Sequence, residues 1–231
     1  MREPQPLEES APRTRRDPAG LVAAVGCLHA LLFLGAYELL GSTPRAGAPD
    51  EELVAFYGSE DRRRLVLVGL YVMPFAGISF LWFATALRGW LRSGARHASE
   101  LLWGLHLASG LLYVALFFVG AAAHSVVAVS VEHASAPLDP MLARQFPQFG
   151  SALLGVFGMR MAAMFVFTTS RLGRLAGVVP GWFATVGVGV GLVLLFSITL
   201  SRVLVLVFPL WLLVLCALLL RARTTSHAAG G

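Results

Sequence analysis

The chain is 231 residues long, 57% hydrophobic and 13% charged, with a mean hydropathy of +0.73. A soluble domain carries about 25% charged residues, so a chain this apolar cannot cover a water-facing surface, and lipid is the solvent that fits. The net charge of +5 comes from 18 basic residues, all of them Arg, which lie mainly in loops and tails. That placement speaks to membrane orientation; no nucleic-acid motif stands near it, and no nucleic-acid partner is expected.

Residues 1–19 mix charge with Pro4, Pro6, Pro12 and Pro18 and are expected to be a disordered cytoplasmic tail, as are residues 222–231. Between them lie apolar runs at about 20–40, 65–88, 101–128, 150–170, 181–200 and 203–220. Each is near the roughly 20 residues needed to cross a 30 Å hydrocarbon core. The expected fold is therefore all-α: a polytopic bundle of six transmembrane helices spanning residues 20–221. The last two runs are separated only by Ser201 and Arg202, as in a tight hairpin. The first run is too long for a signal peptide and is expected to stay as an anchor.

Arginines set the orientation. Eleven fall in the two tails and in the second and fourth loops, against six in the remaining loops. The positive-inside rule then places both termini in the cytoplasm. Arg62, Arg63 and Arg64 dissent from this count, although Glu60 and Asp61 precede them. In the first outer loop, Pro49-Asp50-Glu51-Glu52 starts a short helix, with Pro and acids suited to its first turn. Leu53, Val54, Phe56 and Tyr57 are expected to lie on the membrane surface as an anchor.

Within the spans, Gly187 and Gly191 make a small-xxx-small pair, and Gly155 and Gly158 mark the fourth helix. Such glycines let backbones approach closely. The Gly187/Gly191 face is expected to pack inside the chain or to join copies in a homo-oligomer. Pro74 and Pro209 fall mid-span, where they kink a helix.

Ionisable groups inside a span cost about 2.5–3.5 kcal/mol on insertion scales and are the default functional candidates. Here they are His29 and Glu38 in the first run, His106 and His124 in the third, and Arg160 in the fourth. Arg160 lies too deep to reach water easily. Side chains lean toward the N-terminus of their own helix, so Glu38 and Arg160 lean toward each other. A Glu38–Arg160 pair, direct or through water, is expected, with His124 beside it, as a polar cluster between helices 1, 3 and 4 in the outer half of the membrane. This cluster either serves function or staples the bundle. His106 and His124 share one face but stand about 27 Å apart, so they cannot hold one metal. His29, His106 and Tyr113 are secondary candidates. A haem between His29 and His106 is the redox alternative, although no cofactor is expected on balance. Cys27 and Cys216 match no metal spacing and read as small hydrophobes.

No catalytic motif stands out. Gly77-Ile78-Ser79 lacks the Gly that follows the serine in an intramembrane protease motif, and Glu51-Glu52 has no helix-borne His pair. The segments Pro49–Tyr57, Phe80–Arg88, Arg160–Ser170 and Pro180-Gly181-Trp182 together resemble a family of uncharacterised multi-pass, six-helix membrane proteins of actinobacteria, over roughly residues 20–220. The resemblance implies a bacterial plasma-membrane location and brings no activity. The expected function is non-enzymatic: a small transporter, a transport accessory or a membrane partner of another protein, with membrane lipids as its surroundings. The alternative is a membrane-embedded enzyme or haem redox protein using the intramembrane histidines.

Overall fold

The computed structural model describes residues 18–134, 137–197 and 202–228, with side chains for 19–134, 137–197 and 203–221. The N-terminal tail up to residue 17 and Ser201 lie outside the described residues. Among the described residues the fold is all-α. α1 is Pro18–Leu40, α2 Asp50–Gly58, α3 Glu60–Gly94, α4 Glu100–Ala134, α5 Pro140–Ala152, α6 Met159–Leu175, α7 Gly181–Phe196 and α8 Arg202–Ala228. A π-helical turn, Leu153–Gly158, joins α5 to α6 without a break.

Five of these rods are long and apolar enough to cross a membrane, counting α5, the π turn and α6 as one; α7, with 16 residues, is a shorter sixth apolar helix. Large apolar side chains stand open all round the perimeter, among them Leu31, Tyr71, Trp82, Trp182 and Phe196. A water-soluble monomer does not expose such a continuous apolar surface, whereas lipid solvates it. The molecule is a multi-pass helical membrane bundle. With six passes, both ends of the described chain return to one face, here the termini face. α2 and the loops before α3 and α5 lie on the opposite face.

The helices are longer than the apolar runs. α3 and α4 have 35 residues each, about 52 Å at 1.5 Å per residue, well beyond a 30 Å hydrocarbon core. Their ends are polar and project past it. α8 likewise continues beyond residue 220, where a tail was expected. Pro74 and Pro209 sit inside uninterrupted helices.

α1 packs mainly on α3 and α8, α4 on α3 and on the α5–π–α6 rod, and α7 on α6. The centre is aromatic: Phe33, Phe80, Phe83, Tyr113, Phe165 and Phe208 are fully buried. Offset and edge-to-face ring pairs of this kind contribute about 0.5–1.5 kcal/mol each beyond their buried area. That directional term matters in lipid, where burying apolar surface gains little.

One packing expectation is corrected. α2 does not lie on the membrane surface, because Leu53, Phe56 and Tyr57 are buried against the protein and only Val54 is exposed. Its neighbours are α3, α4 and α5. The Gly187/Gly191 face packs inside the chain, one of the two contacts expected of it. A methyl group at Gly187 would meet Ser170 Oγ at 2.0 Å, and one at Gly191 the Phe167 ring at 2.4 Å, both on α6.

The dissenting arginines all have local partners. Arg63 pairs with Glu132 at 2.9 Å and also donates to the Tyr57 carbonyl. Arg64 pairs with Glu60, and Arg62 lies 5.7 Å from the centre of the Phe56 ring.

Candidate functional site

On the opposite face, the end of α1, the following turn, α4 and α5 enclose a half-open cavity of about 810 Å³. Three local features build it. The first is the turn Gly41–Ala46 that follows α1 and brings Thr43, Pro44 and Arg45 to the rim. The second is the start of α5, fixed by Asp139, whose Oδ1 accepts from the Met141 N–H at 2.8 Å, with Pro140 in the first turn. This is a strong N-cap followed by a residue preset for a helix.

The third feature is the break inside the rod. Pro147 removes an N–H from the α5 ladder, and the π turn then adds an extra residue to one turn. Between them, Gly150 meets Gly120 on α4. A methyl group at Gly150 would stand 2.5 Å from the Gly120 carbonyl oxygen and 2.6 Å from His124 Cδ2. Only glycine allows this approach, and it presents Ser151 to His124: Ser151 Oγ and His124 Nε2 are 3.1 Å apart.

His124 is 9% exposed, on the wall of the cavity. Arg144 donates to the Ala48 carbonyl at 2.8 Å and pairs with Asp50, so it is held at the rim while still lining the cavity. Arg45 is exposed and makes no ion pair among the described residues. Gln145, Gln148 and Tyr37 complete the polar lining, and among the described residues no acidic side chain lines the cavity. A lining of two guanidiniums, an imidazole, two amides and three hydroxyls suits an anion.

The sequence-derived cluster is only partly assembled. His124 lines the cavity, but Glu38 does not; it is exposed on the last turn of α1. The expected Glu38–Arg160 pair is not among the ion pairs of the described residues. α1 has no Cα within 8 Å of the π turn or α6. Arg160, half-buried, folds back and donates to the Val156 carbonyl of the π turn. Depth along a helix carries no information on which helices are neighbours.

The secondary candidates belong to the core. The His29 Nδ1–H donates to the Ala76 carbonyl at 2.8 Å. His106 Nδ1 lies 3.3 Å from Thr168 Oγ1. Tyr113 is fully buried among Phe33, Phe80, Phe117 and Phe208. A haem between His29 and His106 does not fit. His29, Phe80, Phe165 and His106 form a continuous run of ring contacts, with centroids 4.9, 5.0 and 4.5 Å apart.

The rings also close the cavity from below. Tyr37, on the wall, stacks on Phe33 at 6.0 Å; Phe33 meets Phe117 and Tyr113, Tyr113 meets Phe80 at 5.1 Å, and the run continues to His106. The cavity therefore opens to one face and ends on a packed aromatic column.

Comparison with protein-family models, with curated proteins and with solved structures finds no match. What the fold and its perimeter define is the class: an all-α, multi-pass membrane protein.

Proposed function

We propose that the protein is a non-enzymatic plasma-membrane component, a small transporter or transport accessory, that binds a small anion in the cavity above the aromatic column. The observation that carries this reading is the cavity lining: Arg45, Arg144 and His124 converge on it, and no acid among the described residues lines it. The orientation with both termini cytoplasmic, which opens the cavity to the outside, is supported by the arginine asymmetry of eleven to six.

The test is thermal unfolding of the purified protein with inorganic phosphate and a series of carboxylates, each against chloride at matched ionic strength. At ten times Kd, linkage gives about 1.4 kcal/mol, a rise of about 3–6 °C in Tm for a chain of this size. Arg45→Gln should weaken the apparent affinity at least threefold while leaving the anion-free Tm within about 2 °C, since an exposed substitution is worth less than about 0.5 kcal/mol. If no anion moves Tm beyond chloride, or Arg45→Gln binds like wild type, the reading fails.

One observation favours a second reading. A serine hydroxyl within hydrogen-bond reach of an imidazole is the nucleophile–base unit of acyl-transfer enzymes, and Ser151 and His124 form such a pair on the cavity wall. The unit normally needs a carboxylate to orient the histidine, and none among the described residues lines the cavity. Labelling by a fluorophosphonate probe, lost in Ser151→Ala, would establish the enzyme reading; an unlabelled wild type removes it.

A further inference from the structure

The first and last transmembrane helices, α1 and α8, pack along each other, and their contact brings together two thiols. A methyl group at Gly26 would stand 2.5 Å from Cys216 Sγ. The sulfur thus fills the notch left by the missing side chain, against the backbone next to Cys27. Cys216 is thereby a neighbour of Cys27 across the contact of α1 with α8. Both cysteines are free. Cys216 is fully buried, whereas Cys27 keeps part of its surface open at the lipid-facing perimeter. Cys27 lies nine residues into α1, about 14 Å along the helix, and so well inside the apolar slab. Neither residue lines the anion cavity.

We propose that Cys27 and Cys216 are an intramembrane dithiol that oxidises to a disulfide joining α1 to α8, with a lipid-soluble quinone as the oxidant. The location selects the oxidant. Hydrophilic disulfides and peroxide-type reagents act from water, whereas a quinone diffuses in the hydrocarbon layer and reaches Cys27 from the perimeter. The step balances as a two-electron transfer. The two S–H bonds break, one S–S bond forms, and both electrons and both protons pass to the quinone, giving one quinol. Cys27 is the accessible thiol that meets the oxidant, and Cys216 is the buried partner that completes the bond. The product encloses nearly the whole chain in one covalent loop and fixes the packing of the helix whose end forms one wall of the cavity. Once formed, the bond is shielded from water-borne reductants, so the oxidised form persists.

The experiment uses the full chain in membranes, kept anaerobic and treated with a fully substituted, short-tailed benzoquinone, which cannot add to thiols at its ring. The sample is then denatured and labelled with a polyethylene-glycol maleimide. Labels should fall from two to zero per chain, with the protein still monomeric on a non-reducing gel, and dithiothreitol should restore both. Cys27→Ser and Cys216→Ser should each carry one label before and after treatment. Two labels persisting under excess quinone would overturn the proposal, as would loss of label through cross-linked dimers or loss that dithiothreitol does not reverse.

Discussion

Arg160 brings a guanidinium into an apolar segment and satisfies it on the Val156 carbonyl of its own helix. It holds no acid at ion-pair distance among the described residues, so removing its charge deletes a cost and strands no partner. Arg160→Met should therefore unfold in sodium dodecyl sulfate at the same or a higher detergent fraction than wild type, with anion binding unchanged. Breaking a buried ion pair would instead cost about 3–5 kcal/mol, and a loss of that size would show that Arg160 has an acidic partner. Tyr57 offers a pH-dependent counterpart outside the membrane. It is fully buried, its hydroxyl has no hydrogen-bond partner among the described residues, and burial pushes its phenol from 10.0 up to about 12. A raised acid favours the folded state below the unfolded value, so this contribution is complete below pH 10 and is lost as pH rises from 10 to 12. Tyr57→Phe should abolish that alkaline loss and should be neutral or stabilising at neutral pH, because it removes an unsatisfied buried hydroxyl. Stability against pH for the two proteins, with phenolate absorbance near 295 nm, checks both points. At this scale the sequence revealed His124 and Arg160, because a polar residue in an apolar run is conspicuous. It concealed Ser151, Gln145 and Gln148, which sit where the run begins and pass for loop. It also hid the partner of Arg160, because a backbone carbonyl leaves no mark in the side-chain pattern.

The α5–π–α6 rod decides whether the site exists. Its crossing with α4 depends on Gly150 meeting the Gly120 carbonyl, and a backbone oxygen cannot swing aside as a side-chain tip can. Gly150→Ala should cost about 1–3 kcal/mol by overpacking. It should also weaken anion binding by displacing His124. Gly77→Ala, which meets side chains alone, the Phe118 ring and Val114 Cγ1, should cost less and leave binding intact. Unfolding midpoints and the anion-induced shift in Tm, measured on both variants, separate the two effects. The hydropathy of the chain located all six apolar helices, since each apolar run has the length of a membrane crossing. It did not find their ends, because the polar extensions of α3 and α4 continue the helix beyond the apolar slab. It did not find the π turn, whose residues Leu153–Gly158 are compatible with an ordinary α-helix. It placed α2 on the lipid surface because an amphipathic face looks the same whether lipid or protein covers it.

For the molecule as a whole, orientation is the property on which the proposed function rests. In a Cys27→Ala, Cys216→Ala background, Thr43→Cys should react with a membrane-impermeant maleimide applied to intact cells, and Ser93→Cys, at an exposed position, should react only after permeabilisation. The reverse pattern would turn the cavity toward the cytoplasm and overturn the outward-facing reading. Helix count and the shared face of the two ends were legible because they follow from counting apolar runs. Helix neighbours were not, since six passes can be arranged in many ways, and the expected contact between the first and fourth passes was one that the fold does not make.

The aromatic column beneath the cavity also acts as an electrical insulator. Closely packed rings polarise little and hold no mobile charge, so most of the transmembrane voltage falls across them, while the half-open cavity stays near the potential of the solution it faces. A full crossing by one charge at 100 mV involves about 2.3 kcal/mol. An anion entering this cavity traverses only a small part of that drop. Its affinity in sealed vesicles should therefore be nearly independent of an imposed potential, and the bundle in this conformation should carry no current.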